Sequence, residues 1–585
     1  MMRNKKIEAL CPQLLVQCII FQLFLSVLTS GGSLCFAKEA AGFVFQINGM
    51  EIVNVWEDDT GCAHVFLPSF ADDRKTVVLS AQDAAASIGG ILLSSGMDCS
   101  GFVPEREYDL VSTEYPSQKI IFHQSGSVAS LFVTLDTDEL GHVNSDKEYE
   151  AKADIALYEA DGTLVCSHSS GCRISGRGNS TWLKNKKPYN LKLEQPESLL
   201  GMGAAKKWSL LANAFDESNL RNKVILDFAR SIQNYQGFAP ECAFVDFYLN
   251  GNYQGLYLMC QSMKDTASAF LKEAGEDGYE IELTMRGKLD EEAESVSLNP
   301  AMAAEIKVPS HCTVVQKEQL NDMMSAVTEW INSDESSLPG IQPDIESWAR
   351  KMLIEIVFEN YDSPNASQYF WGSLQDGTIF AGPCWDYDLS MGIYYINWST
   401  PHAIMAFKDW NQGEDISWYH GAWQKEEIQK RVLALYQQEY HEALSDLAET
   451  RILAEADMIA AAARMDRIRW PEYRQQYDSF EQAVSELMEF MRERIRFLDA
   501  LWIDRDTYYV ITMRLPNTRM LHCYVPAGEK CEELPKPWEV SLAGEGMGGV
   551  TDWYREDDDE LFDPNTKITK DLKLYAKLPD EGNLP

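Results

Sequence analysis

The sequence is poor in basic residues, with 51 Lys and Arg against 90 Asp and Glu, and its formal net charge is −39. A surface of this charge repels nucleic acid and anionic lipid, because binding to either requires Lys or Arg to neutralise phosphates. The composition therefore disfavours a DNA- or RNA-binding role. Solubility accounts for the acidity, and attraction to basic protein partners is the alternative explanation.

The sequence also lacks the common spacings of zinc ligands. It has no Cys-x-x-Cys, and its nine His are scattered without His-Glu-x-x-His spacing, so a zinc site has no support from the sequence. Ten of the 13 Cys follow residue 37, and an even number permits disulfides in an exported chain. The near pairs Cys166/Cys172 and Cys523/Cys531 are candidates, but sequence alone leaves the connectivity open.

Long apolar runs are absent beyond the N-terminus. Residues 1–37 contain a basic start (MMRNKK), an apolar run at 14–28 and the small residues Cys35 and Ala37. This order is typical of a secretory signal peptide, and an uncleaved membrane anchor is the alternative. We therefore expect a secreted or cell-surface protein. It would contact a membrane only if the N-terminal segment stays uncleaved, and then only through that segment.

Three regions follow the signal segment. Residues 41–120 read as short strands broken by Asp, Gly and Pro, which indicates a small β-rich leader module. Residues 128–505 begin with strands, including a hairpin at Asn250-Gly251, and become helical later, with Asp344 as a helix N-cap. Residues 508–580 have no helical period. The predicted fold class is therefore α+β.

The C-terminal region resembles a known surface repeat. Its sequence DWYREDDDELFDPNTKITKDLKLYAKL at 552–578 is similar to the Listeria–Bacteroides-type extracellular repeat. Asp552 stands where that repeat usually has Gly, and Leu578 stands where it usually has Trp. The resemblance implies a β-grasp-like wall or stalk module over residues 508–580 and supports a surface location.

The central region offers candidates for phosphoryl transfer. That reaction requires backbone amides and a lysine around the phosphates, acidic oxygens for Mg²⁺, and a carboxylate that orients the attacking hydroxyl. Gly176 and Gly178 follow a predicted strand in RISGRGNSTW, where small residues let the backbone approach a ligand and a tight turn is the alternative. Lys186, Lys187 and Lys192 come next, and a strand lysine is usually exposed to solvent.

The acidic candidates come later in the chain. Asp362 lies at a predicted helix-to-loop junction, where a capping or turn role is the alternative. Asp386 and Asp388 alternate along a predicted strand in IFAGPCWDYDLSMG. Two carboxylates in an apolar setting are costly unless they are paired or metal-bound, so they form a candidate Mg²⁺ site.

The joint order of these segments resembles the CotH family. The matching segments, over residues 128–400, are GRGNSTW, KKPYNLKL, WSLLANAFDESNLRNK, DFYLNGNYQGLYLM, ENYD and WDYDLSMG. The family has an atypical protein-kinase-like fold with a β-rich N-lobe and a helical C-lobe, and it includes spore-coat proteins that phosphorylate other secreted coat proteins. The resemblance implies an exported ATP-dependent kinase that acts on Ser or Thr of secreted, surface or coat proteins.

The resemblance also implies roles for individual residues. Asp362 is the implied catalytic acid, and Asp386, Asp388 and Gln368 are the implied metal ligands for Mg²⁺ or Mn²⁺. The helix with Arg221 and Asn222 takes the place of a kinase's regulatory helix. The implied nucleotide-binding residues are Arg177, Gly178, Asn179, Ser180, Lys187, Lys192 and Gln261.

Three positions depart from the family's usual pattern. Gln261 stands where the family usually has Glu, Gln368 stands where it usually has Asn, and Met391 replaces a common aromatic or small residue. These departures leave a second hypothesis open, in which the chain is a non-catalytic surface adhesin or coat-assembly protein with the same fold. A glycan-directed role fits the paired carboxylates and many Trp, but the order of the segments does not.

Overall fold

The computed structural model describes residues 43–577 with internal gaps, so the signal segment predicted at 1–37 lies outside the described residues. The described residues form two compact units, one before and one from residue 508. The gaps are 54, 58–60, 74–76, 82–85, 100, 112–118, 267–270, 273, 287–288, 290–292, 300–301, 334, 361–366, 394–400, 403–417, 474, 516–519, 532–533 and 538–549.

The first unit begins with nine short strands, in the region where the sequence predicts a β-rich leader. They form a three-stranded sheet, β2-β1-β5, and a six-stranded sheet, β3-β4-β9-β8-β6-β7. The strands are β1 Phe43–Ile47, β2 Met50–Ile52, β3 Val55–Glu57, β4 Cys62–Leu67, β5 Val77–Ala81, β6 Ser87–Ile88, β7 Ile91–Leu92, β8 Glu107–Val111 and β9 Lys119–Gln124.

A closed seven-stranded barrel follows, in the order β10-β11-β12-β13-β14-β16-β15. Its strands are β10 Ala129–Thr134, β11 Ala151–Tyr158, β12 Leu164–Gly176, β13 Tyr189–Glu197, β14 Ala205–Leu211, β15 Cys242–Leu249 and β16 Asn252–Gln261, and it carries helices α1 Thr137–Ser145 and α2 Arg221–Ser231. Asn250 and Gly251 both have positive φ between β15 and β16, which confirms the predicted hairpin turn.

A six-stranded sheet and two long helices come next. The sheet order is β18-β19-β17-β21-β22-β20. Its strands are β17 Gly278–Met285, β18 Ser295–Ser297, β19 Met302–Val308, β20 Gln342–Pro343, β21 Gln368–Ser373 and β22 Thr378–Ala381, and its helices are α3 Met263–Thr266, α4 Val314–Asn332 and α5 Ile345–Phe358. Asp344 caps α5 by accepting the Ser347 N–H at 2.7 Å, which confirms the predicted N-cap.

Helices complete the first unit. They are α6 Trp418–Trp423, α7 Glu426–Ala434, α8 His441–Asp446, α9 Ile452–Arg469 and α10 Phe480–Trp502, and π-helical turns at Leu435–Tyr440 and Leu447–Arg451 join α7 to α9. The apolar stripe of α10 from Val484 to Trp502 is buried. Among the described residues, no helix combines the length and apolar character needed to cross a membrane.

The second unit contains a four-stranded sheet of order β24-β23-β26-β25. Its strands are β23 Tyr508–Arg514, β24 Met520–Pro526, β25 Tyr554–Arg555 and β26 Leu572–Tyr575. No disulfide joins the ten cysteines among the described residues, and the thiols of Cys523 and Cys531 lie within hydrogen-bonding contact. The chain as a whole is a mixed α+β protein, in agreement with the predicted class.

Candidate active site

The acidic segment leaves the sheet after β22 as an irregular loop, whereas the sequence suggests a strand through both acids. Gly382 and Asp386 have φ values of +115° and +67°, which end the extended backbone after Ala381. The Asp386 carboxylate accepts a hydrogen bond from the Ser367 hydroxyl at 3.1 Å. Asp388 is only 9% exposed. The two acids therefore lie in a loop whose conformation needs support from its surroundings.

Helix α2 provides part of that support. The side-chain oxygen of Asn222 accepts a hydrogen bond from the backbone N–H of Tyr387 at 2.8 Å. Arg221 donates to the backbone carbonyls of Ser390 at 2.9 Å and Met391 at 3.2 Å. Both α2 side chains are buried. The first turn of α2 thus holds the acidic loop at the residue between the two acids and again just after them.

Asp216 orients Arg221 for this contact, and the sequence reasoning missed it. Its carboxylate pairs with the Arg221 guanidinium at 2.6 Å and accepts the Arg221 backbone N–H at 2.9 Å. The same carboxylate accepts the N–H and the hydroxyl of Ser218. An acid shortly before a predicted helix start is the sequence signal that could have identified it.

The side chain of Tyr387 anchors the acidic loop to α5. Its hydroxyl donates to Glu355 at 2.9 Å and accepts from the Lys351 ammonium at 2.9 Å. Lys351 and Glu355 also pair with each other, one turn apart on α5. Burial raises the pKa of Tyr387 well above its usual value. Because Tyr387 is held at both its backbone and its ring, its neighbours Asp386 and Asp388 have little freedom to move.

Arg177, in the glycine-rich segment, meets this loop. Its guanidinium carbon lies 5.2 Å from the centre of the Trp385 ring, within the range of a cation–π contact. Burial lowers the pKa of Arg177, and the carboxylates of Asp386 and Asp388 act against that effect. The structure therefore brings together two sets of predicted site residues that are about 200 positions apart in the sequence.

The glycine-rich segment forms a tight turn directly after β12. Gly178 has φ +81°, and a Cβ there would lie 2.5 Å from the Thr181 hydroxyl. A Cβ at Gly176 would collide with the Trp182 ring. Only glycine fits at both positions. Asn179 and Ser180 are exposed at the tip of the turn, where their backbone and side chains are accessible to a ligand.

The two lysines implied to contact phosphate differ in their surroundings. Lys187 donates to the backbone carbonyls of Trp182 at 2.9 Å and Lys184 at 3.4 Å, so it braces the turn. Lys192 lies on β13, has a side chain 48% exposed, and pairs with Glu150 at 3.6 Å. Of the two, Lys192 is therefore freer to turn toward a ligand.

Lys207 is a further basic residue that sequence reasoning missed. It lies on β14 directly opposite Lys192 of β13. Packing around its ammonium and the positive charge of nearby Arg177 lower the pKa of Lys207. Arg177, Lys192 and Lys207 thus concentrate positive charge on one side of the acidic loop. The sequence signal that could have identified it is the pair of lysines before the apolar residues of AKKWSLL.

The two glutamines that depart from the family pattern have different environments. The Gln261 amide donates to the Gly203 carbonyl at 2.9 Å and accepts the Glu241 N–H at 3.1 Å, so it ties the end of β16 to two loops. Gln368 is 1% exposed, and among the described residues neither polar atom of its amide has a hydrogen-bond partner. Asp362, the implied catalytic acid, lies outside the described residues.

A second group of acids lies on the sheet beside the loop. Glu282 of β17 is directly opposite Tyr369 of β21. Burial and the carboxylate of Glu282 raise the pKa of Tyr369, with Asp386 contributing. Glu280, two residues earlier, is fully buried, and its burial raises its pKa to about 7. The wall next to the acidic loop is thus more acidic than the predicted residues alone suggest.

The donor set at this site fits a hard divalent cation. Asp386 and Asp388 offer carboxylate oxygens in a braced loop, and carboxylate oxygens are the ligands that Mg²⁺ prefers. The basic side chains of Arg177, Lys192 and Lys207 are suited to an anionic phosphate chain. The arrangement can therefore hold a metal–nucleotide complex between an acidic loop and a basic strand face.

Comparison with known proteins identifies one matching family. The sequence profile of a family described as CotH kinase protein matches residues 174–498, which is more than half of the 585 residues. The matched range includes the glycine-rich turn, α2 and the acidic loop. No curated protein matches the chain.

Proposed function

We propose, because this chain belongs to the CotH kinase protein family, that it is an exported ATP-dependent kinase for Ser or Thr of secreted, surface or coat proteins. The family implies ATP and a divalent metal ion. The observation that supports the proposal best is the meeting of Arg177 with the braced loop of Asp386 and Asp388. In this proposal, the barrel is the N-lobe and the helices from α5 onward are the C-lobe of an atypical kinase.

We assign the residues of the site as follows. Asp386 and Asp388 hold Mg²⁺ or Mn²⁺, and the amide oxygen of Gln368 is available as a further ligand. Arg177, Lys192 and Lys207 neutralise the phosphates, with the backbone of Gly178, Asn179 and Ser180 against them. Lys187 keeps the turn in shape, and Gln261 ties the end of β16 to the backbone at Gly203 and Glu241. Asp362 orients the acceptor hydroxyl.

When bound, the metal ion would neutralise negative charge on the phosphates during phosphoryl transfer. The protein's part is to position its groups, since phosphoryl transfer depends mainly on positioning and electrostatic stabilisation. Asn222 and Arg221 position the acidic loop by holding its backbone, and Asp216 positions Arg221.

Location and partners are part of the same proposal. The basic N-terminal start and apolar run of residues 1–37 support export, and the C-terminal region 508–580 is proposed as a β-grasp-like extracellular repeat. The net charge of −39 favours basic protein substrates over nucleic acid or lipid.

The alternative is a non-catalytic adhesin or coat-assembly protein. The observation that favours it is that Gln368 stands where the family usually has Asn. In that case the fold would bind a protein partner and would not transfer phosphate.

The test is phosphate transfer from labelled ATP to the chain itself or to a protein acceptor, with Mg²⁺ or Mn²⁺. Asp386→Ala and Asp388→Ala should each reduce labelling by about 100-fold or more, because each removes a charge that acts in the transition state. Asp376→Ala is the matched control, since Asp376 is an exposed acid in the turn between β21 and β22. It should label like the wild type.

A binding measurement separates the two hypotheses. A kinase should gain thermal stability from ATP only when the metal ion is present, and Asp386→Ala should lose that gain. If the wild-type chain shows no metal-dependent shift and labels no better than Asp386→Ala, the kinase proposal is wrong and the adhesin hypothesis is favoured.

A further inference from the structure

Three side chains of different chemistry converge near the start of β12, far along that strand from the glycine-rich turn at its end. Cys166 and His168 are two residues apart on β12, so they project from the same side of the strand. Glu197 ends β13. One donor atom from each side chain lies within 4.8 Å of the other two. This cluster takes no part in the proposed phosphoryl transfer.

The spacing of the donor atoms suits a four-coordinate metal ion. The His168 Nε2 and Glu197 Oε2 atoms are 3.0 Å apart. A tetrahedral zinc ion, with bonds of about 2.0–2.3 Å, holds its ligand atoms about 3.3–3.8 Å from one another. Small side-chain rotations would bring the three donors to these separations. The His168 and Glu197 side chains are 31% and 34% exposed, which leaves the fourth position open to water.

An ion pair alone explains only part of the cluster. His168 and Glu197 form such a pair, but it gives no role to the thiol beside them. The Cys166 sulfur lies within 4.8 Å of a donor atom of each partner, where it can serve as a third ligand. Coordination to a divalent cation favours the thiolate form of such a cysteine.

We propose that Cys166, His168 and Glu197 bind one divalent transition-metal ion of the zinc type and so clasp β12 to the end of β13. A thiolate with an imidazole selects such an ion over Mg²⁺ or Ca²⁺, which prefer oxygen ligands. Binding replaces the thiol proton with a metal–sulfur bond and releases that proton to solvent. The ion is structural in this proposal, with water as its fourth ligand.

Oxidation of Cys166 would compete with metal binding. A second cysteine, Cys172, lies on the same strand and is 1% exposed. A disulfide from Cys166 to any other thiol would remove the sulfur ligand. The experiment therefore uses the full chain, reduced with a phosphine, stripped with a chelator and returned to metal-free buffer.

Cobalt titration is the direct test, because Co²⁺ replaces Zn²⁺ and reports its ligands by absorption. We expect one equivalent of Co²⁺ to produce a thiolate charge-transfer band and tetrahedral visible bands, both displaced by Zn²⁺. Cys166→Ser should abolish the charge-transfer band. Glu197→Gln, a milder change at a half-exposed position, should keep the band and weaken Co²⁺ binding about tenfold or more.

Cys312→Ser is the matched control. Cys312 belongs to a second Cys, His and Glu group, in which the His311 side chain is 93% exposed and its Nδ1 lies 3.9 Å from Glu294. This variant should titrate like the wild type. The proposal is overturned if the reduced wild type gives no charge-transfer band, if the band survives in Cys166→Ser, or if Cys312→Ser removes it.

Discussion

Asn222 and Arg221 show how single side chains determine the shape of the acidic loop. Tyr387 lies between the two candidate metal ligands, and its backbone N–H donates to the side-chain oxygen of Asn222. A buried backbone N–H without a partner costs free energy, because it gives up its hydrogen bond to water on folding. The loop's conformation, including the positive φ of Asp386, thus depends on side chains of α2.

Asn222→Ala tests this dependence. The variant leaves the Tyr387 N–H unpaired, and we expect the free energy of unfolding to fall by about 1–3 kcal/mol. Urea unfolding followed by tryptophan fluorescence measures the change. Asn234→Ala is the control, since the Asn234 side chain makes its hydrogen bond at an exposed position. Equal losses in the two variants would contradict the role given to Asn222.

Strand β16 joins the barrel to α9 through a buried ion pair. Lys186 and Asp466 are both fully buried and lie 2.5 Å apart. They also bind the backbone of β16, where Lys186 donates to the Leu256 carbonyl and Asp466 accepts the Leu256 N–H, each at 3.0 Å. Gly255, with φ +114°, lets both side chains approach the strand. A glycine in β16 therefore makes room for the connection between strand and helix.

Gly255→Ala should separate this pair. The added Cβ would collide with Asp466 and lie 3.0 Å from the Lys186 side chain, and disrupting a buried pair costs about 3–5 kcal/mol. The drop in the free energy of unfolding is measured with urea. Gly201→Ala provides the comparison, because Gly201 also has positive φ but nothing lies within 4 Å of its Cβ position. There we expect only backbone strain of about 1–2 kcal/mol, and similar losses in both variants would refute the assignment.

The leader strands and the barrel share one hydrophobic core. Phe66 of β4 stacks on Tyr253 of β16 with ring centres 4.9 Å apart, and the buried cluster extends from Phe45 to Met465 of α9. Since neither part can unfold without exposing the other's apolar surface, we expect the leader strands and the barrel to unfold together as one unit. A proton taken up in the leader therefore changes the stability of the whole unit.

His64, in this shared core, makes that stability depend on pH. Burial, and then the charge of His123, lower the pKa of His64 from 6.5 to about 4. Its Nδ1 lies 2.8 Å from the Nε2 of His123, which contacts Glu105 in turn. Between pH 6.5 and about pH 4, His64 is protonated in the unfolded chain but stays neutral in the folded chain. The stabilisation is therefore complete above pH 6.5 and is lost as the pH falls to about 4.

Because of this histidine, we expect the free energy of unfolding of the wild type to fall by up to about 3 kcal/mol between pH 7 and pH 4. His64→Phe removes the titrating ring and should lose correspondingly less stability over that interval, by urea unfolding at each pH. His311→Ala, at an exposed position, should follow the wild type. If His64→Phe has the same pH dependence as the wild type, His64 is not the group responsible.

Local features of the fold could be predicted wherever neighbouring residues decide the backbone. Asn250-Gly251 forms the predicted turn because both residues tolerate positive φ. Asp344 caps α5 because its side chain reaches an N–H three residues later. The extent of the strand before Asp386 could not be predicted, because Asn222 and Arg221, remote in sequence, support the loop that replaces it.

The sequence by itself determined the α+β class, the family and the identities of the acids and glycines that mark the site, because spacing and residue type carry that information. Only the tertiary structure decided what each charged side chain does. Lys186, Lys187 and Lys192 look alike in the sequence, yet the first is buried against Asp466, the second braces the turn and the third is half exposed. The physical reason is that burial and charge pairing depend on which residues folding brings close, and Asp466, the partner of Lys186, is far away in the chain.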